Sequence, residues 1–163
     1  MIKIGLISDT HNYLHPKIVT FFKDVDEIWH AGDIGSVDII ENLEKFKTLR
    51  AVYGNIDGHE VRMICPKHQI FKCEELNVYM VHIGGYPGRY EKAVQKIIID
   101  KKPDLFISGH SHILKVINDK KYKLLHINPG AAGKNGLHKF ITFVRFKISQ
   151  KRIYDLEIME IER

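Results

Sequence analysis

A chain of 163 residues, 44% of them hydrophobic and with a net charge of +5, has the size and composition of a soluble protein with one buried core. No stretch approaches the roughly 20 apolar residues that a membrane span needs, and the short apolar run at 4–7 meets polar residues too soon for a signal peptide. The two cysteines show no CxxC pair or secreted-protein spacing. These features predict a single domain over 1–163 in the cytoplasm.

The basic excess is concentrated in the last third of the chain. Between positions 114 and 152 the sole acid is Asp119, against ten lysines and arginines. These basic residues alternate with apolar ones, which is typical of the solvated face of a half-buried sheet. A nucleic-acid partner is therefore not the interpretation that the pattern favours, and we expect no membrane partner either.

The first third of the chain alternates apolar runs with amphipathic stretches. Apolar runs at 4–7, 27–31 and 48–53 predict strands. The first run is almost unbroken, which indicates a strand that is buried on both faces of the sheet. Between them, the apolar spacing predicts a helix over 16–23, with Pro16 in its first turn, and a helix over 37–46 capped by Ser36. The order βαβαβ follows.

The rest of the chain is richer in strands. Residues 69–73 and 78–81 predict two strands joined by a polar turn, and a glycine-rich loop follows at 83–88. A helix is predicted over 89–101, ended by Pro103, with a strand at 104–108. Strands at 123–127, 140–145 and 153–159 follow, with a turn near 149–151. This pattern predicts two sheets packed face to face with helices outside.

Candidate metal ligands follow five of the predicted strands. They are Asp9 and His11, Asp33, Asn55 with Asp57, His82, and His110 with His112. Ligand sites in open α/β sheets lie outside the carboxyl ends of the strands, so we expect these side chains to converge. Glycines at 32, 54 and 109 directly precede three of them and permit a close backbone approach.

The types of these residues indicate a particular chemistry. Carboxylates, imidazoles and one amide oxygen without a thiolate favour Mn, Fe, Zn, Ni or Co over a structural zinc site. Seven of these residues, all except Asp57, are counted as metal ligands, which exceeds the need of one ion and suits two ions that share a carboxylate. Two ions about 3.5–4 Å apart are typical of enzymes that attack phosphorus. The sequence therefore predicts two divalent ions, with manganese favoured.

In order, these residues form the motifs Asp9-x-His11, Gly32-Asp33, Gly54-Asn55-x-Asp57, His82 and Gly109-His110-Ser111-His112. This set resembles that of the calcineurin-like metallophosphoesterases. With its short length and the Asn128-Pro129-Gly130 turn, the chain looks most similar to the small YfcE-type phosphodiesterases of that superfamily. The resemblance covers residues 3 to about 142.

The resemblance implies a four-layer αββα sandwich, the metallo-dependent phosphatase fold, with two mixed sheets flanked by helices. It implies one ion held by Asp9, His11, Asp33 and His112, and a second held by Asp33, Asn55, His82 and His110. Asp33 would bridge the ions, and a hydroxide between them would attack a phosphodiester. Catalytic roles would then fall to Asp33, Asn55, Asp57 and His82, and Asn55 would also contact the substrate.

The chain departs from the family pattern at two positions. Many members have a histidine after Gly-Asn that assists the leaving oxygen, whereas this chain has Ile56 there. General acid assistance is typically worth about 10²–10⁴-fold, so Ile56 predicts a preference for good leaving groups. Relatives also often carry glycine directly after the fourth-motif histidine, where this chain has Ile83.

Several other residues allow two interpretations. Arg89 follows the glycine-rich loop and could bind phosphate, or it could simply open an exposed helix. His59 is interpreted as a surface residue, His30 as a core or supporting residue, and His126 and His138 as ordinary.

The whole protein also allows an alternative to the phosphodiesterase. It is a non-catalytic metal-binding or protein-interaction scaffold of the same fold, like the retromer subunit. A DNA-repair nuclease comes third, because the chain is too short for the capping domain of those enzymes. The natural substrate, the physiological metal and the oligomeric state, including a homo-oligomer, stay open.

Overall fold

The computed structural model describes all residues, 1–163. The chain forms four helices: α1 (Lys17–Phe21), α2 (Val37–Phe46), α3 (His59–Ile64) and α4 (Lys92–Lys101). It forms twelve strands: β1 (Ile2–Ile7), β2 (Glu27–His30), β3 (Thr48–Ala51), β4 (His68–Cys73), β5 (Leu76–Val81), β6 (Gly85–Tyr86), β7 (Arg89–Tyr90), β8 (Leu105–Ile107), β9 (Leu114–Asp119), β10 (Leu124–Pro129), β11 (Phe140–Ser149) and β12 (Arg152–Glu162). None of the helices is long and apolar enough to cross a bilayer.

Ten of the strands build two five-stranded mixed sheets, and β6 and β7 pair with each other. The first sheet has the order β12-β11-β1-β2-β3, in which β1, β2 and β3 run parallel. The second has the order β4-β5-β8-β10-β9, in which β5, β8 and β10 run parallel and the two edge strands run antiparallel. Each sheet therefore contains three adjacent parallel strands whose carboxyl ends lie at one edge of the sheet.

The buried apolar residues fall into three layers, which fix how the sheets and helices stack. Alternation along β1 sends Ile4 and Leu6 toward the second sheet and Ile7 toward the helices, as expected for the two-residue period of a strand. The layer between the sheets includes Trp29 and Phe146, both essentially inaccessible to water. Outer layers lie under α1 and α2 on one side and under α4 on the other. The predicted four-layer αββα sandwich is confirmed.

The helix predicted over 89–101 is wrong at its start. The structure begins α4 at Lys92, and residues 85–90 instead form the β6–β7 hairpin, in which Tyr86 pairs with Arg89. The turn of this hairpin needs Gly88, whose φ of 88° is readily adopted by glycine alone. The helical spacing of apolar residues begins only at Ala93. The sequence before it therefore gave no signal that distinguishes a hairpin from the first turn of a helix. The short helix α3 was also not predicted, since Val61 is its single buried residue.

Candidate metal centre

The loops after the parallel strands meet at one edge of the sandwich. The backbone N–H groups of Asp9 and His11 donate to the carbonyls of Gly32 and Asp33, at 2.9 and 3.0 Å, which joins the loops after β1 and β2. In the second sheet, the N–H of Gly109 donates to the carbonyl of His82 at 2.9 Å. Side chains that follow five different strands are therefore held at one place, as the sequence predicted.

Six of the seven predicted ligands form two groups whose ligand atoms lie close enough together to share an ion. Asp9, His11 and His112 make the first group, and Asp33, His82 and His110 make the second. Within each group the ligand atoms all lie within 4.8 Å of one another. Each group takes residues from both sheets, because His82, His110 and His112 follow strands of the second sheet.

Asp9 uses one carboxylate oxygen for support and leaves the other free. Its Oδ2 accepts hydrogen bonds from the Ser8 hydroxyl at 2.6 Å and from the backbone N–H of His110 at 3.1 Å. Its Oδ1 is buried without a hydrogen-bond partner and lies 3.1 Å from His112 Nε2. The free oxygen therefore faces the imidazoles that would share an ion with it.

Asp33 also has one carboxylate oxygen that accepts a supporting hydrogen bond, and its other oxygen lies between the two groups of ligands. Its Oδ1 accepts the backbone N–H of Ile56 at 3.0 Å. Its Oδ2 lies 3.2 Å from His82 Nε2 and 3.5 Å from His11 Nε2, which belong to different groups. An oxygen in this position is suited to the bridging role that the family resemblance implies.

His82 is held in the form that binds a metal. Its Nδ1 donates to the carbonyl of Ala31 at 2.7 Å, because a carbonyl can only accept. In the neutral ring that binds a metal, the lone pair then lies on Nε2, which is buried and has no hydrogen-bond partner. Metal-binding histidines characteristically anchor their other ring nitrogen in this way.

Five of the candidate ligands have left-handed backbone conformations. The φ angles are 54° at Asp9, 44° at His11, 54° at Asp33, 69° at His110 and 59° at His112. Such conformations are uncommon outside glycine, cost energy, and cluster at active sites and ligand-binding loops. The local backbone is thus bent so that these side chains turn toward the centre.

The carboxylates and imidazoles of the centre shift one another's pKa values. Burial opposes ionisation of Asp9 and Asp33, but the neighbouring histidines outweigh it and lower the pKa of both carboxyl groups. The Asp9 carboxylate, 3.9 Å from the ring, raises the pKa of His11 against the effect of burial. Burial also opposes protonation of His82, and the two carboxylates together raise its pKa nonetheless. The ionised carboxylates of the cluster therefore favour a positive charge beside them, on protonated histidines or on a bound cation.

These residues fit divalent metal ions. Asp9 Oδ1, His11 Nε2 and His82 Nε2 are buried and without a hydrogen-bond partner in the protein. Buried polar atoms are nearly always partnered, so three such atoms converging on one place require an occupant. Oxygen and imidazole nitrogen are ligands for the first-row transition metals and zinc.

Asp57 is brought to the same edge but faces away from the two groups. Its Oδ1 accepts the N–H of Gly35 at 2.8 Å, and its Oδ2 accepts the N–H groups of Ile34 at 3.1 Å and Gly54 at 2.8 Å. Asp57 thereby ties together the loops that carry Asp33 and Asn55. In this structure it is a positioning residue, whereas the sequence placed it among the catalytic ones.

The two predicted substrate contacts line two different cavities beside the centre. Asn55 follows Gly54, which packs directly against Asp33, and lines a cavity of about 360 Å³ beside His82. Arg89 is exposed on β7 and lines a different cavity, of about 310 Å³, beside His110. The structure brings Asn55 next to the second group of ligands and sets Arg89 at its far margin.

Several supporting residues were not predicted from the sequence. His138 lies with its ring centroid 5.1 Å from that of His112, and its Nε2 donates to the carbonyl of Gly133 at 2.8 Å. Asn128 donates to the carbonyl of Gly109 at 2.9 Å and so holds the loop of His110 and His112. Asn128 lies near the end of β10, a parallel strand that ends at the same edge, and His138 lies in the loop between β10 and β11. Knowledge that β10 runs parallel to β8 would have indicated that residues near its end lie beside the metal centre.

His30 is the buried supporting residue that the sequence suggested. Its Nδ1 accepts the N–H of Gly32 at 3.1 Å, so its Nε2 carries the proton and donates to the Thr10 hydroxyl at 2.9 Å. Thr10 in turn donates to the carbonyl of Ile34 at 2.9 Å. Burial lowers the pKa of His30 to about 4, so the ring is neutral.

Comparison with known proteins agrees with this geometry. The model of the calcineurin-like phosphoesterase superfamily domain matches residues 2–151. A probable metallophosphoesterase of Methanothermobacter thermautotrophicus is 31% identical, over 78% of this chain and 76% of its own. A phosphodiesterase of Methanocaldococcus jannaschii is 27% identical, over 78% of this chain and 82% of its own.

Among solved structures, Vps29 of Chaetomium thermophilum has a TM-score of 0.77 at 13% identity, covering 99% of this chain and 97% of its own. At that identity the likeness concerns the fold alone. The family model, by contrast, spans the whole ligand constellation. The chain belongs to the calcineurin-like phosphoesterase superfamily, a family of metal-dependent hydrolases.

Proposed function

We propose that this protein is a phosphodiesterase that works with two divalent metal ions. The observation that carries the proposal is the pair of adjacent Asp/His groups with Asp33 Oδ2 between them. The phosphodiesterase among its relatives supports the choice of a diester. Manganese is the ion we favour among Mn, Fe, Co, Ni and Zn, and the donor set accommodates each of them.

Each ligand residue has a defined task in this proposal. Asp9, His11 and His112 hold one ion, His82, His110 and Asn55 hold the other, and Asp33 contacts both. When bound, such ions supply positive charge that polarises the phosphoryl group and lowers the pKa of a water molecule that attacks it. The protein's own contribution is to keep these side chains in place before the substrate arrives, which avoids reorganisation during the reaction.

The surroundings of the centre orient the substrate. Asn55 offers an amide beside His82, where it can donate to a phosphoryl oxygen, and Arg89 offers a guanidinium in the cavity beside His110. The position of Ile56 provides no proton donor, and its side chain is 46% exposed beside the ligands. The leaving oxygen therefore departs without help from that residue, which favours esters of acidic alcohols.

The test is hydrolysis of bis(p-nitrophenyl) phosphate by the manganese-loaded protein, with p-nitrophenyl phosphate as the monoester for comparison. We expect the diester to be the better substrate. Asp33→Asn and His82→Ala should each reduce the rate by about 10²–10³-fold or more, since each removes charge or a ligand at the reacting centre. Asp100→Asn and His59→Ala change matched side chains that are exposed and belong to neither ligand group, and should retain activity.

Elemental analysis separates this proposal from the scaffold alternative. A protein grown with excess manganese and zinc should carry close to two ions per chain, and Asp33→Asn should lower that number. A metal-loaded protein that hydrolyses neither diester nor monoester contradicts the proposal. A protein that retains no metal at all would instead favour a scaffold.

A further inference from the structure

A second cavity adjoins the centre on the side of His110. We name it the hairpin cleft, because the β6–β7 hairpin forms one wall and the start of β9 forms the other. Its volume is about 310 Å³, and the residues that matter here are Tyr86, Arg89, Glu91, His110, Lys115 and His126. Since His110 belongs to the second group of ligands, a phosphodiester held at the centre would extend one ester group into this cleft.

His126 lines the cleft and has an unused hydrogen-bond acceptor. The residue is 0% exposed, its ring stacks on Phe106, and its Nδ1 donates to the carbonyl of Phe106 at 3.3 Å. Its Nε2 is buried without a partner in the protein. Burial lowers the pKa of His126 to about 4, so the ring is neutral and Nε2 carries a lone pair. A buried acceptor of this kind needs a donor, such as a hydroxyl.

Two cations line the same cleft without an acidic partner. The ammonium of Lys115, which belongs to β9, lies 3.6 Å from the centre of the Tyr86 ring on the hairpin, so the Lys115 side chain spans the cleft. Arg89 is exposed on β7. Neither residue forms an ion pair with a carboxylate within 4 Å, although Glu91 stands at the rim. The cleft thus combines positive charge with a neutral acceptor.

We propose that the hairpin cleft selects the substrate: it binds an ester group that carries both a second anionic group and a hydroxyl. Arg89 and Lys115 bind the anionic group, and His126 Nε2 accepts the hydroxyl hydrogen. This inference rests on the proposed function, since it assigns specificity to that reaction. It makes Lys115 and His126, which the motif set does not contain, residues that determine specificity.

Three p-nitrophenyl phosphodiesters test each part of the cleft separately. They share the p-nitrophenyl leaving group and differ in the second ester, which is phenyl, 3-carboxyphenyl or 3-(hydroxymethyl)phenyl. For the native protein we expect a KM about two- to fivefold lower for the carboxylate than for the phenyl compound. The hydroxymethyl compound should show a KM about two- to tenfold lower than phenyl.

Variants should remove these preferences one at a time. Lys115→Gln should abolish the preference for the carboxylate and keep that for the hydroxymethyl group, and His126→Leu should do the reverse. Lys72→Gln removes the same charge from an exposed position on β4 outside the cleft, so it should keep both preferences. His126→Gln retains an acceptor and serves as a second variant if the leucine variant does not fold.

Binding is followed in parallel by imidazole ¹⁵N NMR of the zinc-loaded protein with the same three compounds. We expect only the hydroxymethyl compound to shift the Nε2 resonance of His126. Equal KM values for all three compounds, or the same preferences in Lys115→Gln and Lys72→Gln, would overturn the inference while leaving the phosphodiesterase intact. No hydrolysis of any compound would instead refute the proposed function, and the NMR shifts would then decide whether the cleft binds.

Discussion

The three aspartates near the metal centre, Asp9, Asp33 and Asp57, differ in how their carboxylate oxygens are hydrogen-bonded. In Asp9 and Asp33, backbone or hydroxyl donors hold one oxygen while the other turns toward the imidazoles. In Asp57, both oxygens are taken by backbone N–H groups. The difference separates residues that can bind an ion from one that holds the binding loops in place.

Asp57→Asn should weaken both the fold and metal binding. The amide has a single acceptor oxygen, and its NH₂ group would face an N–H donor that now lacks a partner. Hydrogen bonds to a charged group are worth about 1.5–3 kcal/mol each, so we expect a loss of about 2–4 kcal/mol in the free energy of unfolding. Urea unfolding measures this loss, and metal titration should show weaker affinity. Asp100→Asn, which changes an exposed carboxylate, provides the control. An Asp57→Asn variant with native metal affinity would contradict the positioning role.

Ile56→His should restore assistance to the leaving group. The side chain of Ile56 is 46% exposed, and its backbone N–H already bonds to Asp33, so a histidine can be accommodated without disturbing the ligand. We expect kcat to rise more for esters of poor leaving groups than for p-nitrophenyl esters, because proton donation matters most there. A plot of rate against leaving-group pKa measures this. The same increase for every ester would argue against the idea.

At the scale of the elements, the sequence predicts that the polar residues after the strands converge, because the carboxyl ends of parallel strands lie at one edge of a sheet. The cores of nine strands and α2 were predicted correctly, since the apolar period is a local signal, whereas β9 was not predicted. The β6–β7 hairpin and the left-handed residues could not be predicted. They depend on contacts between loops, such as the N–H of Asp9 with the carbonyl of Gly32, that only the folded chain creates.

The loop after β8 depends on a close approach to β1. A Cβ on Gly109 would overlap the Ser8 hydroxyl and lie 3.0 Å from Asp9 Oδ2, and both atoms are fixed. Gly109→Ala should therefore push His110 and His112 away from the first sheet, with a loss of about 1–3 kcal/mol in stability and a marked loss of metal affinity. Thermal unfolding and metal titration measure the two effects.

Gly58→Ala is the matched control for that substitution. Gly58 has a φ of −82°, and a Cβ there meets nothing within 4 Å. Alanine is the poorer N-cap residue for α3 but also restricts the unfolded chain, so these effects oppose each other and the variant should stay within about 1 kcal/mol of native stability. If both alanine variants behave alike, the close approach at Gly109 does not control the centre.

For the molecule as a whole, two buried neutral histidines should make the metal-free protein less stable in acid. Burial lowers the pKa of His30 and of His126 to about 4, against about 6.5 in the unfolded chain. As the pH falls from 6.5 to 4, the unfolded state takes up protons that the folded state excludes, so the free energy of unfolding decreases. The decrease amounts to about 3 kcal/mol per histidine at most and levels off below pH 4.

Urea unfolding at a series of pH values with a chelator present checks this prediction. His126→Gln removes one titrating group, so its free energy of unfolding should fall less steeply between pH 6.5 and 4. His59→Gln changes an exposed histidine and should show the native slope. Identical slopes in all three proteins would mean that His126 is not held neutral in the fold.

Each ligand group joins positions that are far apart along the chain: Asp9 with His112, and Asp33 with His110. Ions bound there close loops of about 100 residues (Asp9 to His112) and about 80 residues (Asp33 to His110), and a covalent cross-link over such a loop stabilises a protein by about 4–5 kcal/mol in the chain-entropy model. Because the two members of each pair come from different sheets, a bound ion also resists their separation. Metal supply would then govern how long the protein survives as well as how fast it works: in a metal-starved cell we expect it to open more often and to be removed by proteolysis.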